Sequence, residues 1–305
     1  MTEKIYDVII IGSGPAGMSA GLYASRANLD TLIIERGLPG GQMLNTDTIE
    51  NYIGAESVNA QELSNKMHED SLAFGANYAY GNISEVKRVD DLIHVSTAKK
   101  TYLTKTAIVA TGTIHKKLEV DGEIENEGRG ISYCATCDGP FFQDKRIAVV
   151  GGGDSALESA NYLTQYGDVV LIHRRNEYRG EPHLQDLVRK NPKITELLNN
   201  EVVRVNDKDN SVSSIELYNN QISDNATLDV DGVFINVGQL PQTQFLDDEL
   251  LTDIGWVKVD KEYHTPEKGI FAIGDVIEKD VRQVANAVGE GSEVIHYVFN
   301  YIQTL

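Results

Sequence analysis

Only two cysteines occur in this 305-residue chain, and they stand close together in Cys134-Ala135-Thr136-Cys137, with Asp138 next. On a helical turn that spacing puts both sulfurs on one side, close enough to bridge. Such a bridge opens and closes by thiolate attack on a disulfide sulfur, moving two electrons. In a reducing compartment a C-x-x-C pair reads as redox chemistry, not as a structural staple. Zinc is the competing reading. Structural zinc takes four ligands, however, and there is no second cysteine pair, while His115 and His183 lack ligand spacing.

A redox pair needs an electron donor, and two segments look built to hold one. Asp7-Val8-Ile9-Ile10-Ile11 reads as a buried parallel strand. It runs into Gly12-Ser13-Gly14-Pro15-Ala16-Gly17, a helical stretch through Arg26, and a second strand, Thr31-Leu32-Ile33-Ile34, that ends at Glu35. The pattern then repeats. Arg146-Ile147-Ala148-Val149-Val150 enters Gly151-Gly152-Gly153-Asp154-Ser155-Ala156, a helical stretch, and the strand Val169-Val170-Leu171-Ile172, which ends at His173-Arg174-Arg175. Strand, glycine turn, helix, strand is the order of a dinucleotide-binding βαβ unit. Its glycines permit the tight turn, the approach of a pyrophosphate and helix–strand packing, the last falling to Gly17 and Ala156. The pyrophosphate takes the helix N-terminus, where free N–H groups and the dipole favour an anion.

The duplication extends further. Residues 103–112 resemble residues 228–238, and each stretch follows a polar, hairpin-like segment, 82–100 and 206–226. The expected fold is α/β, with two Rossmann-like dinucleotide-binding domains.

The residues that close the second strands separate the two sites. Glu35 follows Gly12 at nearly the ~20-residue spacing of a ribose-binding acid. A carboxylate there accepts from ribose hydroxyls and repels a 2′-phosphate, so the first site suits FAD or NAD. The second site offers His173, Arg174 and Arg175, with Arg179 one helical turn later. Guanidinium groups suit a 2′-phosphate at about 1.5–3 kcal/mol per charge-assisted hydrogen bond. NADPH is the expected ligand.

Composition narrows the function class. The balance of 41% hydrophobic and 24% charged residues is that of a soluble globular chain, without disorder or fibrous repeat. A net charge of -19 argues against nucleic acid, whose phosphates need a basic stripe. The apolar stretch from Tyr6 to Ala24 is interrupted by Gly12, Gly14, Pro15 and Gly17 and lacks a basic leader, so neither a signal peptide nor a membrane anchor is expected. A cytoplasmic protein is expected.

Two later segments make the likeness specific. Gly269-Ile270-Phe271-Ala272-Ile273-Gly274-Asp275-Val276 and Arg282-Gln283-Val284-Ala285 resemble the late FAD-binding signature of two-nucleotide flavoprotein reductases. In that signature the aspartate meets the ribityl chain. The chain would then return to its first domain after the second. This makes 1–114 and 246–305 an FAD domain, with 115–245 an inserted NADPH domain. In glutathione-reductase-like enzymes the active disulfide lies in the FAD segment; here it lies in the NADPH domain. That placement resembles the low-molecular-weight bacterial thioredoxin reductase family, over nearly the whole chain. Gly40-Gly41-Gln42 and Glu50-Asn51-Tyr52 match segments that contact FAD in the family.

The resemblance implies tightly bound FAD, NADPH as donor and thioredoxin as acceptor. It implies that Cys137 faces the flavin, Cys134 attacks the partner disulfide, and Asp138 serves as general acid–base. It also implies a homodimer and a rotation of the NADPH domain during turnover. Departures fall at Tyr178, Gly180 and Pro182, where Pro182 should cap or interrupt a helix, and at Gln242 in the turn from Gly238 to Thr243. Phe141-Phe142 is either an exposed docking patch or core.

Rival readings remain open. A peroxidase-linked reductase would carry an extra N-terminal module, which a first strand starting by Tyr6 leaves no room for. The ferredoxin-reducing branch lacks the C-x-x-C. Related oxidoreductases with another acceptor keep it, as would a flavin-bound redox sensor that reduces once and stops.

Overall fold

A computed structural model describes residues 4–45, 48–55 and 57–305. The chain divides into two compact units, Met1–Ile114 with Leu240–Leu305, and His115–Gln239. The first opens with β1 (Ile5–Ile11), α1 (Pro15–Arg26), β2 (Thr31–Glu35), α2 (Ala60–Leu72) and β3 (Asn77–Tyr80). The strands β4 (Ile83–Val89), β5 (Leu92–Thr97) and β6 (Thr101–Val109) follow. β1 lies parallel to β2 and β6, and β2 parallel to β3, while β4, β5 and β6 form an antiparallel meander. The unbroken apolar run of β1 has a simple cause: both faces of the strand are covered. Ile9 and Ile11 pack with Leu32, Ile34 and Val95 on one side. Val8 and Ile10 pack with Ala20, Phe271 and Val294 on the other.

The second unit repeats the plan with β7 (Ile131–Ser132), the single turn α3 (Ala135–Asp138), β8 (Lys145–Gly151), α4 (Asp154–Leu163) and β9 (Gly167–His173). It continues through α5 (Pro182–Lys190), β10 (Ile194–Leu198), β11 (Asn200–Lys208), β12 (Ser211–Asn219), β13 (Asp224–Asp229) and β14 (Gly232–Asn236). A parallel sheet runs β7-β14-β8-β9-β10, and β11-β12-β13 is a separate antiparallel meander. One difference between the copies lies at the return from the meander. In the first unit β6 alone pairs antiparallel with β5 and parallel with β1. In the second those duties are split between β13 and β14 across Val230-Asp231. The break is anchored by Asp231, whose N–H donates to Arg146 O and whose carboxylate accepts the Arg146 N–H.

The chain re-enters the first compact unit at Leu240. The reason is local: Gln242 N–H donates to Gly112 O, Thr111 Oγ1 donates to Gln242 O, and Val86 N–H donates to Phe245 O. β15 (Ile270–Ala272) then adds parallel to β6, and α6 (Val284–Ile302) packs along α1.

Close backbone approach decides this packing. A Cβ on Gly17 would lie 2.0 Å from Gly12 O, and one on Gly291 would lie 2.3 Å from Ala16 O. Both obstacles are backbone, which has little room to give. Gly291→Ala is therefore expected to cost about 1–3 kcal/mol of stability by forcing α6 away from α1. Denaturant unfolding of the two proteins measures the difference, and equal midpoints would refute the close-packing account.

Candidate functional site

In the first unit the distant motif residues meet at the C-terminal end of the parallel strands. Glu35 closes β2, and its Oε2 accepts from Ser13 N at 2.7 Å and from Ser13 Oγ at 3.3 Å. Its Oε1 accepts from Arg36 N and Gly37 N. Gly40 N–H donates to Ser13 O, which lays the Gly40-Gly41-Gln42 turn against Gly12-Ser13-Gly14. Gln42 is itself held by Thr113 O and Oγ1 at 2.9 and 2.7 Å. Pro15 opens α1 at its first position, where a missing N–H costs nothing. Gly274 lies against Ala16, and Asn51 Nδ2 donates to Gln283 Oε1 at 3.1 Å, next to Val284 at the start of α6.

Two polar atoms here are buried without a hydrogen-bond partner among the described residues: Asp275 Oδ1 and Arg282 Nε. Burial pushes the Asp275 carboxyl up, against the pull of Lys279 and Arg282. Arg282 stacks over the ring of Trp256, 4.4 Å from its centroid, and donates through Nη1 to Lys279 O. A buried acceptor and donor left open fit the hydroxyls of a ribityl chain better than they fit a closed core.

The second glycine turn has the same plan. Gly151 ends β8, Gly153 caps α4, and Asp154, Ser155 and Ala156 form its first turn. His173 ends β9 beneath Gly152, where any Cβ would strike its ring. Arg174, Arg175 and Arg179 are exposed around it. Burial holds the His173 imidazole below its ordinary range, and Arg175, Arg179 and Arg174 push it the same way. His173 is thus a neutral prop for the turn, with the charge supplied by the arginines.

The departures from the family pattern find explanations here. Pro182 occupies the first turn of α5 and starts that helix, without interrupting it. Tyr178 is buried beside Leu157 and Val188. Arg179 N and Gly180 N donate to Gly152 O at 2.7 and 3.2 Å, and Glu181 N donates to Asp154 Oδ1 at 2.7 Å. Residues 179–181 therefore strap the arginine segment onto the glycine turn.

Cys134 and Cys137 form a disulfide, with their Cα atoms 5.3 Å apart. Cys134 is the N-cap of α3, its Sγ facing the Cys137 N–H at 3.2 Å. Ser132, which no motif pointed to, donates through Oγ to Asp138 Oδ2 at 2.6 Å and accepts the Cys134 N–H at 3.0 Å. It couples the candidate acid–base residue to the backbone of the candidate attacking cysteine. The Phe pair divides: Phe142 is buried edge-on against Phe234, whereas Phe141 is 45% exposed. Both lie in a 3-10 turn, Gly139–Phe142, ahead of β8. Among the described residues, no group of three or more His, Cys, Asp or Glu is arranged to hold a metal, and no helix is long and apolar enough to cross a membrane.

Tyr133, just before the redox pair, is clamped within the same unit. Its hydroxyl donates to Glu123 and accepts from Lys117, and its ring stacks on His115 at 4.8 Å. Burial, with Lys117 adding, lowers the His115 pKa to about 4. Between about pH 4 and 6.5 the unfolded chain binds a proton that folded His115 refuses. This stabilisation is complete above the unfolded value and is lost as pH falls through the window. His173 acts in the same direction. Stability should therefore rise with pH across the window, by up to about 1.4 kcal/mol per pH unit from His115. His115→Gln should flatten part of that rise; parallel profiles for the two proteins would contradict it.

Comparison with known proteins agrees with this arrangement. The family model described as pyridine nucleotide-disulphide oxidoreductase matches residues 6–291. A thioredoxin reductase of Listeria innocua serovar 6a is 47% identical over 99% of this chain and 96% of its own. That of Bacillus subtilis (strain 168) is 45% identical, also over 99% and 96%. The crystal structure of thioredoxin reductase from Streptococcus pyogenes MGAS5005 superposes with a TM-score of 0.94 at 42% identity, covering 100% of both chains. The chain belongs to the pyridine nucleotide-disulphide oxidoreductases, in the branch formed by the thioredoxin reductases.

Proposed function

We propose that the protein is an NADPH-dependent thioredoxin-disulfide reductase, with FAD held by the first unit and NADPH by the second. The single observation that favours it most is the disulfide-bonded Cys134–Cys137 turn, carried in the same unit as an arginine-flanked glycine turn. Bound FAD would supply two-electron transfer between the reduced nicotinamide and the disulfide.

The chain's own groups have separate tasks. Glu35 would hold the adenosine ribose of FAD, and the glycine turn with Ser13 and Ala16 would hold its pyrophosphate. Asp275 would accept from the ribityl hydroxyls, while Gln42, Asn51, Arg282 and Gln283 border the flavin end. Arg174, Arg175 and Arg179 would bind the 2′-phosphate of NADPH. Once the disulfide is reduced, the Cys134 thiolate attacks one sulfur of oxidised thioredoxin. A mixed disulfide forms, and the other thioredoxin sulfur leaves as a thiolate and takes a proton, with Asp138 and Ser132 at hand to supply it. The Cys137 thiolate then attacks Cys134 Sγ, which re-forms the Cys134–Cys137 bond and releases the second thioredoxin thiol. Exposed Phe141, four residues past Cys137, is the apolar contact nearest in sequence for the incoming protein. A cytoplasmic setting and a homodimer belong to the same reading, the first supported by cysteine use confined to the redox pair.

The deciding assay follows oxidation of NADPH by the purified yellow protein, with and without oxidised thioredoxin. Thioredoxin-dependent turnover that Cys134→Ser abolishes is the expected result. Flavin bleaching without turnover would point to another acceptor. For the nicotinamide site, Arg174→Ala and Arg175→Ala are each expected to raise the NADPH KM roughly 10- to 100-fold while leaving that for NADH nearly unchanged. Equal loss with both nucleotides would remove the 2′-phosphate assignment.

A further inference from the structure

Behind the Gly274–Val276 turn that presents Asp275 lies an ion pair belonging to no nucleotide motif. Lys279 Nζ donates to Glu290 Oε1 at 2.8 Å and Oε2 at 3.0 Å. Glu290 Oε2 also accepts the Gly274 N–H at 2.6 Å. The same Nζ stands 3.6 Å from Asp275 Oδ1, too far for a hydrogen bond but close enough for strong attraction. Both members are shielded, with the Lys279 and Glu290 side chains 13% and 15% exposed. The pair therefore ties the Asp275 turn to the N-terminal half of α6 and places one cation between two carboxylates.

We propose that Lys279 and Glu290 are positioning residues for the flavin nucleotide: Glu290 fixes the turn through Gly274 N–H, and Lys279 keeps the Asp275 carboxylate charged and aimed while leaving Oδ1 open to a ribityl hydroxyl. The inference rests on the assignment of Asp275 to FAD made above. Its logic is electrostatic. Without Lys279, Asp275 and Glu290 would share a poorly hydrated place with only the Arg282 charge left to offset them, and burial already favours the protonated acid at Asp275. A protonated Asp275 accepts poorly. Without the Glu290 charge, Lys279 is free to close on Asp275 and occupy the oxygen that the hydroxyl needs. Each loss harms binding by a different route, so the pair works as a unit.

The test measures the FAD dissociation constant of the full-length protein, from fluorescence recovered as FAD leaves on serial dilution, beside the melting temperature of the FAD-free protein. Lys279→Met is expected to raise Kd about tenfold or more, and Lys279→Arg to restore most of the affinity. Glu290→Gln is expected to weaken FAD as well, and it stands in if Lys279→Met fails to fold. The double variant should bind no worse than the weaker single variant. Lower melting temperatures with unchanged Kd would make the pair an ordinary structural ion pair and overturn the proposal. Asp275→Asn separates the two assignments. If it leaves Kd unchanged, the ribityl assignment itself fails. If it weakens FAD while Lys279→Met does not, only the role of the pair fails.

Discussion

The contact on which most of this structure rests is between backbone and backbone. α1 leaves the glycine turn so tightly that Gly17 passes over the Gly12 carbonyl, and α6 returns just as closely over Ala16. These approaches bring the N-terminal end of α1 and the Gly274–Asp275 turn against the N-terminal half of α6, at Glu290 and Gly291. A helix N-terminus carries open N–H groups and positive partial charge, so the start of α1 favours an anion before any side chain is chosen. Side chains then specify it. In the first unit Glu35 hangs over the turn; in the second, a buried neutral histidine props the turn and arginines surround it. On the proposed assignment, one backbone device would serve two nucleotides through the residue that ends one strand.

The redox turn depends on a smaller device of the same kind. Cys134 stands where a helix cap stands, so its sulfur faces the Cys137 N–H of α3, with Asp138 closing that turn. N–H groups directed at a sulfur favour its thiolate over its thiol. Ser132 adds a rigid link from Asp138 back to the Cys134 amide. The Asp138 carboxylate, the proposed proton carrier, and the sulfur are thereby fixed relative to each other within a few residues of chain.

Much of this was legible in the sequence because it is written locally. The apolar runs of β1 and β8, the glycine turns after them, and the residues ending β2 and β9 are each read within about 30 positions, and the strands and helices fall where those runs placed them. What escaped depends on contacts between distant residues. The Asn51–Gln283 bond joins residues 232 positions apart, and Glu290 meets Gly274 only because α6 folds back on the sheet. Ser132 lies near its cysteine, but a serine two residues upstream follows no spacing rule. Adjacent Phe141 and Phe142 look alike in sequence, as patch or core; a 3-10 turn sends one inward and leaves the other out. Pro182 was ambiguous for a similar reason, since a proline both ends and begins helices, and only the strap over Gly152 decides which.

The broken strand of the second unit has a further consequence. β6 is one continuous element, so an extra residue anywhere along it would shift the register against β1 and turn core side chains outward. Across Val230-Asp231 the same topology is jointed, with Asp231 pinned to Arg146 on the core side of the joint. Insertions or losses on the meander side stop at that pin and leave the β8–β14 register untouched. The second unit has in effect decoupled its decoration from its frame, so the length of its meander can diverge between relatives while the nucleotide turn stays in place.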